Sequence, residues 1–203
     1  MKRTIAAVVF PEFEMLDLYG PLEMFSYFRD DFEIRTVALQ AGPVVASGGP
    51  ATVAQDRMDG TCDYDILLVP GGVGTRHVDG EPAFLSWLAD QSKKAAYVTS
   101  VCTGSLLLAK AGVLDGRRAT TNKLAFDWVA DQCGGVDWQR QARWVVDGNI
   151  YTSSGVSAGM DMALAVIADH LGEEAATNAA RWAEYTRNTD PDNDPFAIEE
   201  PAI

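Results

Sequence analysis

The stretch Ala96-Tyr97-Val98-Thr99-Ser100-Val101-Cys102-Thr103-Gly104-Ser105-Leu106-Leu107-Leu108-Ala109 changes character at its midpoint. Ala96 to Val101 is a short run rich in β-branched and aromatic residues, the signature of a buried strand. Gly104 to Ala111 is a run of helix formers. Cys102 sits at the seam with small residues two positions to either side, Ser100 and Gly104. A strand that turns abruptly into a helix needs small neighbours at those positions, and it presents the intervening side chain as an exposed nucleophile. The free N–H groups and dipole at a helix start favour a thiolate there. The competing reading is a structural cysteine, since cysteine is often fully buried.

The same grammar extends outward in both directions. Ile5 to Phe10 is a continuous apolar run closed by Pro11, and Asp65 to Val69 is a second, closed by Pro70-Gly71-Gly72-Val73-Gly74. Phe32 to Leu39 alternates as a strand. Ala41-Gly42-Pro43 and Ser47-Gly48-Gly49-Pro50 are turns around a short strand. Met15 to Phe28 has helical spacing, with Gly20-Pro21 expected to break or kink it. Pro82 to Ser92, Asn122 to Gln132, Ser157 to Leu171 and Glu173 to Trp182 read as helices. Trp144 to Val146 and Ile150 to Thr152 flank Asp147-Gly148-Asn149 as a β-hairpin. Strands alternate with helices, which predicts an α/β fold: a three-layer, doubly wound, mostly parallel sheet of the flavodoxin-like kind, with a nucleophile elbow and a small hairpin. One domain is expected over residues 1–203, with an acidic, extended surface tail from about 188. In such sheets the site forms beyond the carboxyl ends of the strands, so the loops after Phe10, Val69 and Val101 are singled out.

Composition narrows the partners. The 203 residues carry a formal net charge of −13, are 47% hydrophobic and contain three cysteines. That charge repels nucleic-acid backbones and anionic membranes and favours a small-molecule substrate. No apolar run approaches the ~18 residues a membrane span needs. The apolar run near the start lacks a cleavage site, and an odd, widely spaced cysteine set gives no disulfide framework, so a cytoplasmic location is expected. No clustered ligands suggest a metal or an organic cofactor.

Around Cys102, the chemistry-bearing candidates are few. Asp17 is a carboxylate in the apolar segment Met15-Leu16-Asp17-Leu18-Tyr19. It is either functional or a helix cap. Glu23 is a weaker competitor on the same helix. Gly71 and Gly72 follow a strand and can offer backbone N–H groups to an oxyanion or a water, with a plain turn as the alternative. The spacing of Gly71-Gly72-Val73-Gly74 does not fit a dinucleotide fingerprint. Thr103 can add an amide and a hydroxyl. Of the two histidines, His170 reads as a packing or helix-end residue, while His77 could approach a pocket. Ser154 and Val156 are the other pocket candidates. Cys62 and Cys133 read as incidental, and Trp138, Trp144 and Trp182 as packing or interface anchors.

These segments resemble a known family. Phe10-Pro11, Leu16 to Pro21, Val69-Pro70-Gly71-Gly72 and Thr99 to Ser105 are similar in order and spacing to the ThiJ/PfpI family of the class I glutamine amidotransferase-like superfamily. The likeness continues through Ala111 to Thr121, Asp147 to Ile150 and Gly155 to Asp161. Within the family it points to isocyanide hydratases and to the ligand-sensing half of AraC-type regulators. The resemblance implies a catalytic cysteine at Cys102, an acid/base aspartate at Asp17, no cofactor, and a homodimer. Family proteases and amidases carry a histidine soon after the elbow helix, where this chain has Asn122-Lys123, so amide hydrolysis is not expected. The regulators append a helix-turn-helix domain, for which a chain ending at Ile203 is expected to have no room. Three activities fit the resemblance: isocyanide hydration to an N-formamide, small-ligand or oxidant sensing, and aldehyde chemistry of the glyoxalase or deglycase kind.

Overall fold

The fold is taken from a computed structural model and is described for residues 2–197. Among the described residues, eleven strands and seven helices follow in order: β1 (Arg3–Val8), α1 (Met15–Ser26), β2 (Phe32–Ala38), β3 (Gly42–Val45), β4 (Ala51–Ala54), β5 (Asp56–Arg57), β6 (Ile66–Val69), α2 (Thr75–Val78), α3 (Pro82–Ser92), β7 (Tyr97–Val101), α4 (Gly104–Lys110), β8 (Arg118–Ala119), α5 (Phe126–Gln132), β9 (Asp137–Trp138), β10 (Trp144–Asp147), β11 (Ile150–Ser153), α6 (Ala158–Leu171) and α7 (Glu173–Trp182).

The main sheet runs β10-β11-β7-β6-β1-β2-β5. Every neighbouring pair in it is parallel except β10 with β11. The longer parallel strands, read across the sheet as β2-β1-β6-β7-β11, have the flavodoxin-like winding. Ile66 to Val69 and Ile5 to Val8 are buried throughout, as strands covered on both faces must be. Helices α1, α6 and α7 pack together as one layer, and α2, α3 and α4 as the other. The α/β sheet architecture expected from the alternating pattern is therefore present.

Several details differ from the sequence reading. The short strand expected between the two turns is β3, which already begins at Gly42, and Ser47–Pro50 joins it to β4 in an antiparallel hairpin that the sequence reading did not include. The expected Trp144–Thr152 hairpin is present as β10 and β11, and because β11 pairs with β7 it extends the main sheet. Helix α1 continues through Gly20-Pro21. It is held there by close packing on α6, where a Cβ on Gly20 would lie 3.0 Å from Met160 Cγ and a Cβ on Gly159 would lie 3.2 Å from Pro21 Cγ. Helix α5 starts only at Phe126, leaving Asn122 in the loop before it.

The acidic tail has no helix or strand from Tyr185 to Ala197, but it is pinned rather than loosely laid down. Asp194 is buried, Pro191 O accepts the Arg143 amide at 2.7 Å, and the Asn188 amide donates to Asp161 Oδ1 at 2.9 Å. The last part of the expected tail, residues 198–203, lies outside the described residues.

Candidate active site

Three loops at the carboxyl ends of β1, β6 and β7 converge, and the strand register explains why. Val69 is paired with Ser100, so two residues further on Gly71 comes beside Cys102. Val101 is paired with Ser153, so Cys102 meets the start of the loop after β11. The Cys102 amide donates to Ser153 O at 3.2 Å and to Ser154 O at 3.1 Å.

Cys102 has φ of +57°, the left-handed conformation that non-glycine residues adopt at a cost. The turn is held on both sides. Its carbonyl accepts from the Thr121 and Ser105 hydroxyls, each at 3.0 Å. A Cβ on Gly104 would lie 2.2 Å from Val69 O, so only glycine lets the helix start this close to β6. This is the sharp strand-to-helix turn that the small neighbours of Cys102 implied.

Asp17 is the third residue of α1 and is fully buried. It does not cap its own helix; the Gly71 amide donates to its Oδ2 at 2.9 Å from across the site. Its other oxygen, Oδ1, is buried with no hydrogen bond of ordinary geometry. The Cys102 thiol is the weak donor beside Asp17. Burial raises the Asp17 pKa to about 7, the Gly71 bond opposes this, the Glu14 charge adds to it, and the thiol contact lowers it slightly. A buried carboxyl in this state is half-protonated near neutral pH.

Burial also pushes the Cys102 thiol well above its ordinary range, and the Asp17 charge pushes it further. The Thr103 amide, the Asn122 side chain and the Thr103 hydroxyl favour the thiolate but are outweighed. The resting residue is a thiol beside an acid, not the preformed thiolate that a helix N-terminus alone would favour. Desolvation accounts for the difference.

The donors also differ from the sequence reading. The Gly71 amide is committed to Asp17, and the Gly72 amide donates to Thr103 Oγ1 at 3.1 Å. Neither is free for an oxyanion in this arrangement. These bonds tie the loop after β6 to Asp17 and to Thr103. The donors that reach Cys102 are Thr103 and Asn122. Asn122 Oδ1 accepts the Ala125 amide at 3.1 Å, which leaves its NH2 group as the donor. Asn122 was not a sequence candidate, although it occupies the stretch after Thr121 where a histidine was sought.

A cleft of about 270 Å³ opens onto Cys102 and Thr103. Val156, Asn122 and Glu14 line it, and so do Arg76 and Trp128, whose guanidinium and ring stack at 4.7 Å. The pocket candidates separate here. Val156 lines the cleft, and Ser154 lines an adjoining cavity. His77 lines neither; it is exposed and pairs with Glu12 at 3.2 Å, while its neighbour Arg76 faces the cleft. His170 packs among Phe32, Tyr97 and Arg3, and burial lowers its pKa. Glu23 accepts from Tyr27 on the exposed side of α1.

A model of the DJ-1/PfpI family matches residues 3–169. Isonitrile hydratase of Pseudomonas putida is 33% identical over 208 residues, covering 98% of this chain and 87% of the hydratase. The HTH-type transcriptional regulator CdhR of Pseudomonas aeruginosa is 29% identical over 161 residues, covering 79% of this chain and 47% of the regulator. The crystal structure of a ThiJ/PfpI family protein from Pseudomonas syringae superposes with a TM-score of 0.84 at 35% identity, over 93% of this chain and 77% of that one.

Proposed function

The chain belongs to the DJ-1/PfpI family, and from that premise we propose that Cys102 and Asp17 add water to the terminal carbon of an isocyanide, releasing an N-formamide. The observation that carries this reading is the unpartnered, buried Oδ1 of Asp17 on a carboxyl whose pKa sits near 7, next to an elbow thiol. A general acid/base works best with a pKa near the working pH. The likeness to an isonitrile hydratase over nearly the whole chain supports the same chemistry.

Ionised Asp17 takes the thiol proton as Cys102 Sγ bonds to the isocyanide carbon. Asp17 then returns that proton to the same carbon, giving a thioimidate, R–N=CH–S–Cys102. Asp17, again ionised, takes a proton from water as the water oxygen bonds to the carbon, and passes that proton to the nitrogen, giving R–NH–CH(OH)–S–Cys102. The C–S bond breaks, the hydroxyl proton goes to the Cys102–Asp17 pair, and the formamide R–NH–CHO leaves. Thr103 and Asn122 orient the water and the developing charge. The inventory is one isocyanide and one water consumed per formamide, with no redox step.

The test is formamide production from a simple aryl isocyanide. Wild type produces it, and Cys102→Ala and Asp17→Asn each lose at least about 100-fold. Equal inertness of wild type and Cys102→Ala would overturn the reading. The proposal also includes pairing of two copies, supported by the family resemblance. Sedimentation at micromolar concentration should then return twice 21.9 kDa, and a monomer mass would contradict it.

A further inference from the structure

The Cys102 cleft is small, but it does not end at its own walls. A second cavity of about 540 Å³ adjoins it, and Asn122 and Val156 line both. A molecule reacting at Cys102 can therefore extend past these two residues. Pockets that enclose a drug-sized ligand span roughly 300–1,000 Å³. The Cys102 cleft alone falls short of that range, and the adjoining cavity lies within it.

The chemistry of the second cavity is apolar. Leu124, Val156, Pro195 and Phe196 supply its hydrophobic surface. Lys123 is the one charged residue lining it among the described residues. Its ammonium is already engaged, donating to Thr120 Oγ1 at 2.8 Å and to Ala142 O at 2.5 Å. The net charge of −13 disfavours an anionic ligand.

One wall is built on purpose. Pro195 and Phe196 belong to the tail segment that Arg143 pins from inside. Arg143 Nε contacts Asp161 Oδ2 at 2.7 Å and Arg143 Nη1 lies 3.6 Å from Asp194 Oδ1, with all three residues buried. The Asp194 amide donates to Gln141 O at 2.8 Å, and Asp194 Oδ1 in turn accepts the Phe196 amide at 3.0 Å. These bonds place an otherwise exposed phenylalanine at the cavity instead of leaving it to wander.

We propose that this cavity seats the substituent of the substrate, and that Phe196 selects neutral isocyanides with a bulky apolar group over methyl isocyanide. The inference rests on the hydratase reading for its substrate, but not for the pocket itself. An extra methylene in an apolar pocket is worth roughly 10- to 200-fold in discrimination.

The experiment measures kcat/KM for cyclohexyl and methyl isocyanide with wild type, Phe196→Ala and Leu124→Ala. Both side chains are largely exposed, so truncating them removes little buried contact and the variants should fold. Wild type should prefer cyclohexyl isocyanide by at least about tenfold, and each variant should cut that ratio at least about fivefold. A wild-type ratio near one, or a ratio unchanged in both variants, overturns the proposal. If neither isocyanide turns over, the hydratase reading fails and the pocket is tested alone. Cys102 is then labelled with N-cyclohexylmaleimide and N-methylmaleimide, with rates followed on the Cys102 peptide and normalised to a free thiol. A cyclohexyl preference that falls in the variants sustains the pocket, and no preference removes it.

Discussion

The Gly71 amide donates to Asp17 Oδ2 at 2.9 Å, and this bond from the loop after β6 to helix α1 holds the acid beside the Cys102 thiol. A Cβ on Gly71 would lie 2.6 Å from both Thr103 N and Thr103 Oγ1, and 2.9 Å from Asp17 Oδ2. Gly71→Ala should therefore disturb Asp17 and Thr103 together. Because the Gly71 bond lowers the Asp17 pKa, weakening it moves the basic form of Asp17 to higher pH. We expect turnover to drop at least about tenfold, with the acidic limb of the kcat/KM profile displaced upward. An unmoved limb would contradict this role for Gly71.

Asp17 also makes a prediction about stability. Its pKa is raised from 3.8 to about 7, so the folded protein holds this proton more tightly than the unfolded chain does. Stability from this group is fully present below pH ~4, falls as pH rises toward 7, and is level above, a loss of about 4 kcal/mol at most. Asp17→Asn removes the titration. Urea denaturation should find the variant more stable than wild type at pH 8, with the advantage shrinking by pH 5. An advantage that does not change with pH would refute the assignment.

The elbow itself carries strain that substitution can read. Cys102 holds φ of +57°, which an alanine tolerates no better. Glycine adopts this conformation freely. Cys102→Gly should therefore be about 1 kcal/mol more stable than Cys102→Ala in chemical denaturation, although it buries less. Equal stability would mean that the turn is unstrained.

Arg143 predicts a different kind of loss. Removing one partner of a buried ion pair leaves the other charge uncompensated. Arg143→Met should thus cost about 3–5 kcal/mol. It should also expose the segment 188–197 to protease. The double variant Arg143→Met, Asp161→Leu should recover part of the stability. If the single variant is as stable as wild type, Arg143 does not pin the tail.

Which of these features could be read from sequence follows from how each is encoded. Cys102 was legible because a backbone constraint wrote itself into Ser100 and Gly104, next to two clear periodicities. Asp17 was legible as a lone carboxylate in an apolar run. The elements β5, β8 and β9 are two residues long and α2 is a single turn, too short to carry a period. Helix α1 runs through Pro21 because packing on α6 outweighs local propensity. Asn122, Glu14, Arg76 and Trp128 come from separate loops and helices, and only the folded sheet brings them together. The thiol state of Cys102 was also hidden, because desolvation depends on neighbours that a sequence does not place.

The proposed reaction passes through a covalent intermediate on Cys102. Addition of the thiol across the isocyanide carbon attaches the whole substrate, so the protein gains its full mass. The most direct measurement is acid quenching during turnover of an aryl isocyanide, followed by mass spectrometry of the Cys102 peptide. That increment should appear on Cys102 and not on Cys62 or Cys133. Formamide appearing with Cys102 unmodified throughout turnover would contradict it.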